Sequence, residues 1–379
     1  MTDPTMDEIA PAHTLSRRSL LLYLGAGLSV ALLAACGQGS AADSNAPGAN
    51  GSAASSAPAP KTSSPTKVTI GYFPNVTHAP ALVAAAHDAF RSAMPPGVSI
   101  DYKTFNAGPA LIEALFGKAV DLGYVGPSPA VNGYVQSKGQ ALRIIAGAMS
   151  GGALFVVRPA ANIKDAKDLS GKKIGSPQRG NTQDISLRFY LKNNGLKPRD
   201  EGGSVDVVPT ANPDIVNLFK QGQIDGAWVP EPWASTIVQQ AGGQVFLDER
   251  KLWPDGKFVT TNVVATTQLL RDRPDILAGF LKAHVEAVTF IVNHAAEARQ
   301  TVGEQITRIT TQALPAEIIE SSFANQDVTY DPLVKTVIAQ ADSAYSLGFL
   351  GDSKPDLSNL FELGPLNAVL AAAGKAAVA

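Results

Sequence analysis

Sulfur is nearly absent from this chain. Cysteine occurs once, at Cys36, which excludes an internal disulfide, a cysteine-based metal site and a nucleophilic thiol in the residues that follow. Three catalytic patterns are missing as well: Gly-x-Ser-x-Gly, His-Glu-x-x-His and the phosphate loop Gly-x4-Gly-Lys-Ser/Thr. Carboxylates are present, yet none stands out as a paired acid and base. An excess of one charge is also lacking, with 31 Lys and Arg against 33 Asp and Glu, which argues against a nucleic-acid binder. These absences point to no cofactor, no metal and no catalysis. What remains is 379 residues, 45% of them hydrophobic, enough for a soluble body with a sizeable core and two or three domains.

The first 66 residues do not read as fold. Ser16-Arg17-Arg18-Ser19-Leu20 places paired arginines before an apolar run, Leu20–Ala35, that is shorter than the roughly 20 residues a membrane-spanning helix needs. The run ends in Leu33-Ala34-Ala35-Cys36. This resembles a bacterial lipoprotein signal over residues 1–35, with Cys36 lipidated as the mature N-terminus, and the twin arginines resemble a Tat export signal, although a Sec signal can carry them too. Residues 36–66 are Gly-, Ser-, Ala- and Pro-rich and read as a tether, because such a composition cannot bury enough apolar surface to offset the entropy of ordering.

From Val68 the chain alternates strand and helix patterns. Val68–Tyr72, Val98–Phe105, Asp121–Val125 and Ala141–Ala146 read as strands. Pro80–Arg91, Ala110–Phe116 and a segment running to Ser137 read as helices. The plan then recurs 104 residues on. Ile70-Gly71 matches Ile174-Gly175, Ala107 and Pro109 match Ala211 and Pro213, and Asp121, Tyr124 and Val125 match Asp225, Trp228 and Val229. Two lobes of one α/β plan follow, each a mainly parallel sheet flanked by helices. Lobe 1 takes residues 67–157, lobe 2 residues 158–257, and residues 258–379 return to lobe 1 and add C-terminal helices. Gly151–Val157 and Phe258–Ala265 would be the two crossings, and together a hinge. A long helix is expected over Arg273–Arg299.

Ligands of open α/β sheets bind beyond the C-terminal ends of the strands. Three loops qualify in each lobe: Pro74–Ala79, Asn106–Pro109 and Gly126–Ser128, then Gln178–Gln183, Thr210–Pro213 and Pro230–Pro232. Gly175–Asp184 is the most telling stretch. A polar, glycine-containing loop between a strand and a helix start offers free N–H groups and the positive end of the macrodipole to an anion.

These residues resemble a family. Ile70-Gly71-Tyr72, Phe105-Asn106-Ala107-Gly108-Pro109, Asp121-Leu122-Gly123-Tyr124, Ala227-Trp228-Val229-Pro230-Glu231-Pro232-Trp233 and the tail Phe349-Leu350…Leu357…Leu360-Phe361 are similar to periplasmic-type substrate-binding proteins of ABC importers, in the aliphatic sulfonate, taurine and nitrate group. The resemblance covers residues 67–365. It implies a two-lobed type II periplasmic binding protein fold that closes on its ligand and delivers it to an ABC permease and its ATPase. It further implies a monomer held by its N-terminal lipid on the outer face of the cell membrane. An enzyme of this fold that makes the thiamin pyrimidine depends on a cysteine-rich motif, which this chain lacks.

A sulfonate carries one negative charge over three acceptor oxygens, and neutral donors at helix starts can disperse it. The candidate contacts are Asn75, Thr77, His78, Asn106, Gly108, Pro127 and Ser128 in lobe 1, with Gln178, Arg179, Asn181, Thr182, Gln183, Trp228 and Glu231 in lobe 2. Arg179 is either an anion contact or a solvated loop arginine. Glu231, stiffened between two prolines, is either a partner for a ligand amine, a salt bridge across the cleft or a rim charge. Trp228 either lines the ligand's organic tail or packs in the core. Nitrate, bicarbonate and pyrimidine-like ligands remain open beside sulfonates.

Overall fold

The computed structural model describes residues 66–379. The signal segment, Cys36 and all but the last residue of the tether lie outside the described residues. The chain enters on β1 (Thr66–Tyr72), whose inward Val68, Ile70 and Tyr72 are buried, and β1 pairs in parallel with β2 (Val98–Thr104) and β3 (Leu122–Val125). Between β1 and β2 a 3-10 turn at Val76–His78 leads into α1 (Ala79–Ala86) and α2 (Ala89–Ala93). The single helix expected over Pro80–Arg91 is thus two, because Asp88 takes a left-handed φ of 54°, a conformation Asp tolerates better than most residues. After β2 and β3 come α3 (Gly108–Phe116) and α4 (Pro127–Gln136).

β4 (Leu142–Gly151) runs on past the expected Ala146, and β5 (Ala153–Val157) opens a second sheet. The switch is made at Gly151 and Gly152, with φ of 77° and 73°. A side chain at Gly152 would also place its Cβ 2.3 Å from Gln326 Oε1, so only glycine passes here without strain. The second sheet continues through β6 (Lys173–Ser176), α5 (Thr182–Asn193), β7 (Asp206–Pro209), α6 (Asn212–Lys220), β8 (Gly226–Pro230), α7 (Trp233–Ala241) and β9 (Gln244–Asp248). The return strand β10 (Val259–Thr266) then joins the first sheet.

Strand order is β11-β4-β10-β3-β1-β2 in the first sheet, where β11 is Gln326–Val328, and β7-β6-β8-β5-β9 in the second. Among the named strands, β1, β2 and β3 pair in parallel, as do β6, β7 and β8; the crossing strands β10 and β5 join antiparallel. The repeat of 104 residues holds in the register of the central pairs, where Ile70 faces Leu122 as Ile174 faces Gly226. It slips by one residue at the outer strand, since Ile70 faces Tyr102 whereas Ile174 faces Val207. Asp121 accepts the Thr69 N–H, and Asp225 the Lys173 N–H, each at 2.8 Å.

The C-terminal third wraps the first lobe as α8 (Thr267–Asp272), α9 (Pro274–Asn293), α10 (Ala295–Thr310), α11 (Ala316–Ala324), α12 (Val334–Ser346) and α13 (Gly364–Ala372). The expected helix Arg273–Arg299 breaks at His294, which leaves helical φ/ψ and stacks on Phe290 at 4.9 Å. The first lobe's core closes on α9. Phe280 stacks on Phe90 at 4.9 Å, and Tyr124 hydrogen-bonds His284 Nδ1 at 2.8 Å while His284 Nε2 donates to the Gly147 carbonyl. Among the described residues no helix is long and apolar enough to cross a membrane.

The segment joining β9 to β10 carries a buried carboxyl group. Glu249 accepts from Trp228 Nε1 at 2.7 Å and Ser186 Oγ at 2.8 Å, and burial pushes its pKa up to about 7. Because the folded pKa lies above the ordinary 4.5, the folded state binds the proton more tightly than the unfolded chain. The contribution of Glu249 to stability is therefore complete below pH 4.5 and falls as pH rises towards about 7. In urea unfolding, the wild type should lose stability relative to Glu249→Gln across that window; a constant difference would contradict the assignment.

Candidate functional site

Several helix starts meet where the two lobes touch. α3 and α4 begin behind Ala107 and Gly126, and α5 and α6 behind Asn181 and Ala211, and none of these four residues caps its own helix with a side chain. The first N–H groups of a helix have no intrahelical acceptor, so an uncapped start leaves donors for something else. The chain passes close at the junction. A Cβ on Gly126 would lie 2.1 Å from Thr182 Oγ1, so glycine is required for the helix starts of the two lobes to approach this far.

A small cavity of about 20 Å³ lies at this junction, room for little more than one water. Asn75, Thr77, His78 and Asn106 line it from the first lobe, and Asn181, Thr182 and Gln183 from the second, as the sequence led us to expect. No charged side chain is among the described residues that line it. The lobes are closed around it: Asn181 Oδ1 accepts the Gly108 N–H at 3.3 Å, and Trp233 Nε1 donates to Asn75 Oδ1 at 2.9 Å.

Polar atoms are left unpartnered here. The Ser128 and Thr182 hydroxyls are buried without a hydrogen-bond partner, and so is an acceptor, Asn212 Oδ1, at the start of α6. Ser128 and Pro127 form the first turn of α4, beside the lining residue Gly126. His78 contributes a neutral ring. Burial lowers its pKa to about 3, and its Nδ1 accepts the Phe73 N–H at 3.3 Å, which places the remaining proton on Nε2. The ring is held flat against Phe73 at 4.3 Å.

Seven of the expected contacts do not line the cavity. Gly108, Pro127 and Ser128 stand next to lining residues, and the other four lie elsewhere. Gln178 and Arg179 are exposed, and Arg179 pairs with Asp200 rather than reaching the cavity. The loop turns them outward because Asp184 gathers its inner side, accepting from Ser176 Oγ at 2.8 Å and the Gly180 N–H at 2.9 Å. Trp228 is fully buried in the second lobe, stacked on Phe155 at 5.2 Å. Glu231 bridges the lobes, but by hydrogen bonds and without a cation. It accepts from Ser235 N at 3.0 Å and Ser235 Oγ at 2.9 Å within its own lobe, and from Ser322 Oγ at 3.2 Å and Asn325 Nδ2 at 2.7 Å at α11. Burial raises its pKa, and its filled acceptor sites leave nothing for a ligand amine.

Gly126, Asn212 and Pro230, which lie in the candidate loops but not among the candidate contacts, also line the cavity, and the sequence reading missed Phe73, Thr260 and Thr261. The signal for the last two was present. Thr260-Thr261-Asn262 is a polar triplet inside an otherwise apolar strand, and the Asn262 amide is buried with neither atom partnered. A larger cavity, about 710 Å³, opens between α5, residues 249–253 and α12. Its walls are Ile185, Phe189, Tyr190, Leu252 and Trp253, and Glu249 at its edge already has both oxygens bonded, so it lacks the cluster of free donors that marks the smaller one. Among the described residues no group of three or more His, Cys, Asp or Glu is arranged to hold a metal.

Comparison with known proteins agrees with this architecture. The family model described as NMT1-like matches residues 61–306. The taurine-binding periplasmic protein of Escherichia coli (strain K12) is 28% identical over 220 residues, covering 58% of this chain and 65% of the relative, so the chain spans less than two thirds of that protein. The alkanesulfonate-binding protein SsuA from Xanthomonas axonopodis pv. citri, solved with MOPS bound, superposes with a TM-score of 0.64 at 20% identity, covering 76% of this chain and 96% of that one. The periplasmic nitrate-binding protein NrtA from Synechocystis PCC 6803 gives 0.67 at 16% identity, covering 81% and 89%. The structures share the two-lobed fold, and the family match extends over most of the described body: the chain belongs to the NMT1-like family.

Proposed function

We propose that this chain captures an aliphatic sulfonate between its lobes and delivers it to an ABC permease and its ATPase. The observation that carries the reading is the set of helix starts, two from each lobe, meeting at a cavity lined by the unpartnered Thr182 hydroxyl, with the unpartnered Ser128 hydroxyl two residues beyond its lining Gly126. Each helix start presents roughly half a positive charge, so several together neutralise a monoanion without a cation in the lining. Oriented N–H and O–H groups then supply bonds to its three oxygens. The taurine- and alkanesulfonate-binding names of the similar proteins support the same class. No carboxylate lines the cavity, so a simple alkanesulfonate asks less of it than taurine, whose ammonium would have only amide and hydroxyl oxygens to meet. In this reading the protein binds without catalysing, and Cys36 carries the lipid that tethers it outside the membrane.

A nitrate-type ligand is the second reading. The closed cavity has little room for an organic tail, and NrtA shares the fold.

Thermal-shift titration with ethanesulfonate, taurine, nitrate, bicarbonate and a thiamin precursor separates these. A ligand at 100 times its Kd should add about 2.7 kcal/mol to stability. A clear shift with nitrate and none with any sulfonate would replace the first reading by the second. Ser128→Ala and Thr182→Val should each weaken the ligand about tenfold while leaving Tm unchanged or raised, because each removes a buried hydroxyl that costs about 1–3 kcal/mol unpaired. Unchanged affinity in both would place the anion elsewhere. Since His78 stays neutral down to a pKa of about 3, affinity should be flat from about pH 5 to about 8. Tighter binding towards pH 5 would show instead that an imidazolium meets the anion.

A further inference from the structure

Arg179, turned away from the cavity, takes part in a second contact between the lobes. Phe349 follows α12, and the segment after it is pinned to the first sheet, with Ile144 N–H donating to Leu360 O at 2.9 Å. Its ring centroid lies 5.3 Å from Arg179 Cζ and 6.0 Å from Arg188 Cζ, both in the second lobe. Lys192, one turn further along α5, donates to the Ser346 carbonyl at 2.6 Å.

Both sides of the contact are built in advance. On the first lobe, Gly348 has φ of 78°, its N–H donates to Tyr345 O at 2.9 Å, and the Phe349 N–H donates to Ala344 O at 3.0 Å. This is a Schellman ending, which fixes the direction of the residue after the glycine. On the second lobe, the Arg188 side chain is fully buried between Asp184, Asp200 and Glu201, and Arg179 is held by Asp200. Arg188 Nη2 is buried and finds no hydrogen-bond acceptor. The face of an aromatic ring attracts such a cation.

We propose that Phe349 is a latch: docked on the Arg179–Arg188 pair, it holds the lobes closed and lengthens the stay of a ligand it never touches. The arginines keep their carboxylate partners whether or not the ring is present, so the ring contact belongs to the closed state alone and shifts the open–closed equilibrium towards it. The effect on ligand retention rests on the capture reading above; the effect on closure does not.

Amide hydrogen exchange of the ligand-free full chain tests this at Gly108, whose N–H is held across the cleft by Asn181. Phe349→Leu should raise exchange at Gly108 about tenfold, with β1 and β6 unchanged, and Phe349→Tyr should stay at the wild-type rate. Arg179→Gln added to Phe349→Leu should produce less than the product of the two single effects. No change at Gly108, an equal rise in β1 and β6, or fully independent effects of the two substitutions would each overturn the latch. Ethanesulfonate release should quicken by the same factor in Phe349→Leu. If Gly108 responds as expected but ethanesulfonate fails to bind, the latch stands and the sulfonate reading falls.

Discussion

A hydroxyl removed from water and given no partner costs about 1–3 kcal/mol, and this protein keeps two near one point. The Ser128 and Thr182 hydroxyls are buried without partners at the starts of α4 and α5. Such a cluster persists only because rigid elements hold it open. Parallel strands feed each helix from behind, and the Asp121 and Asp225 carboxylates tie the central pairs β1–β3 and β6–β8 of the two lobes in the same way. In the proposed function an anion would supply partners to these groups, and recognition and closure would draw on one source of free energy.

Closure is distributed over three places. The cavity itself joins Gly108 to Asn181 and Asn75 to Trp233. On one flank Glu231 reaches Ser322 and Asn325 on and beside α11, and on the other α5 meets α12 and Phe349. The Ile185 side chain of α5 is buried within the first lobe's apolar cluster, so the second flank also carries hydrophobic contact. The two kinds of flank differ physically. Glu231 exchanges water for hydrogen bonds that its desolvation largely offsets, as its raised pKa records, whereas the aromatic and aliphatic flank gains by leaving water.

Much of this was readable from residues alone. The offset of 104 residues at Ile70, Asp121 and their partners foretold the matched registers, and the polar loops before α1, α3, α4 and α5 foretold most of the lining. What failed was direction. Arg179 and Gln178 sit in the right loop but face outward, because Asp184 at the end of the same stretch gathers its inner side and Asp200 draws Arg179 away. Trp228 follows strand alternation into the core. Glu231 finds its acceptors filled by α11, nearly a hundred residues on, which no local pattern signals. The triplet Thr260-Thr261-Asn262 was passed over because an apolar crossing strand explained its neighbours well enough.

The strand order has a consequence for how the molecule is made. β10 lies inside the first sheet, between β3 and β4, although it is the last of these to emerge during synthesis. Until residue 266 is available, the first sheet has a gap at its centre, and β3 and β4 have no edge to share. The second sheet, by contrast, draws all its strands from residues 153–248. The later lobe in the sequence is thus the first that can be completed, and the N-terminal strands must wait beside it. Until β10 emerges, a nascent chain of this topology carries one open edge on β3 and two on β4, which makes that interval the natural point for chaperone binding or misassembly.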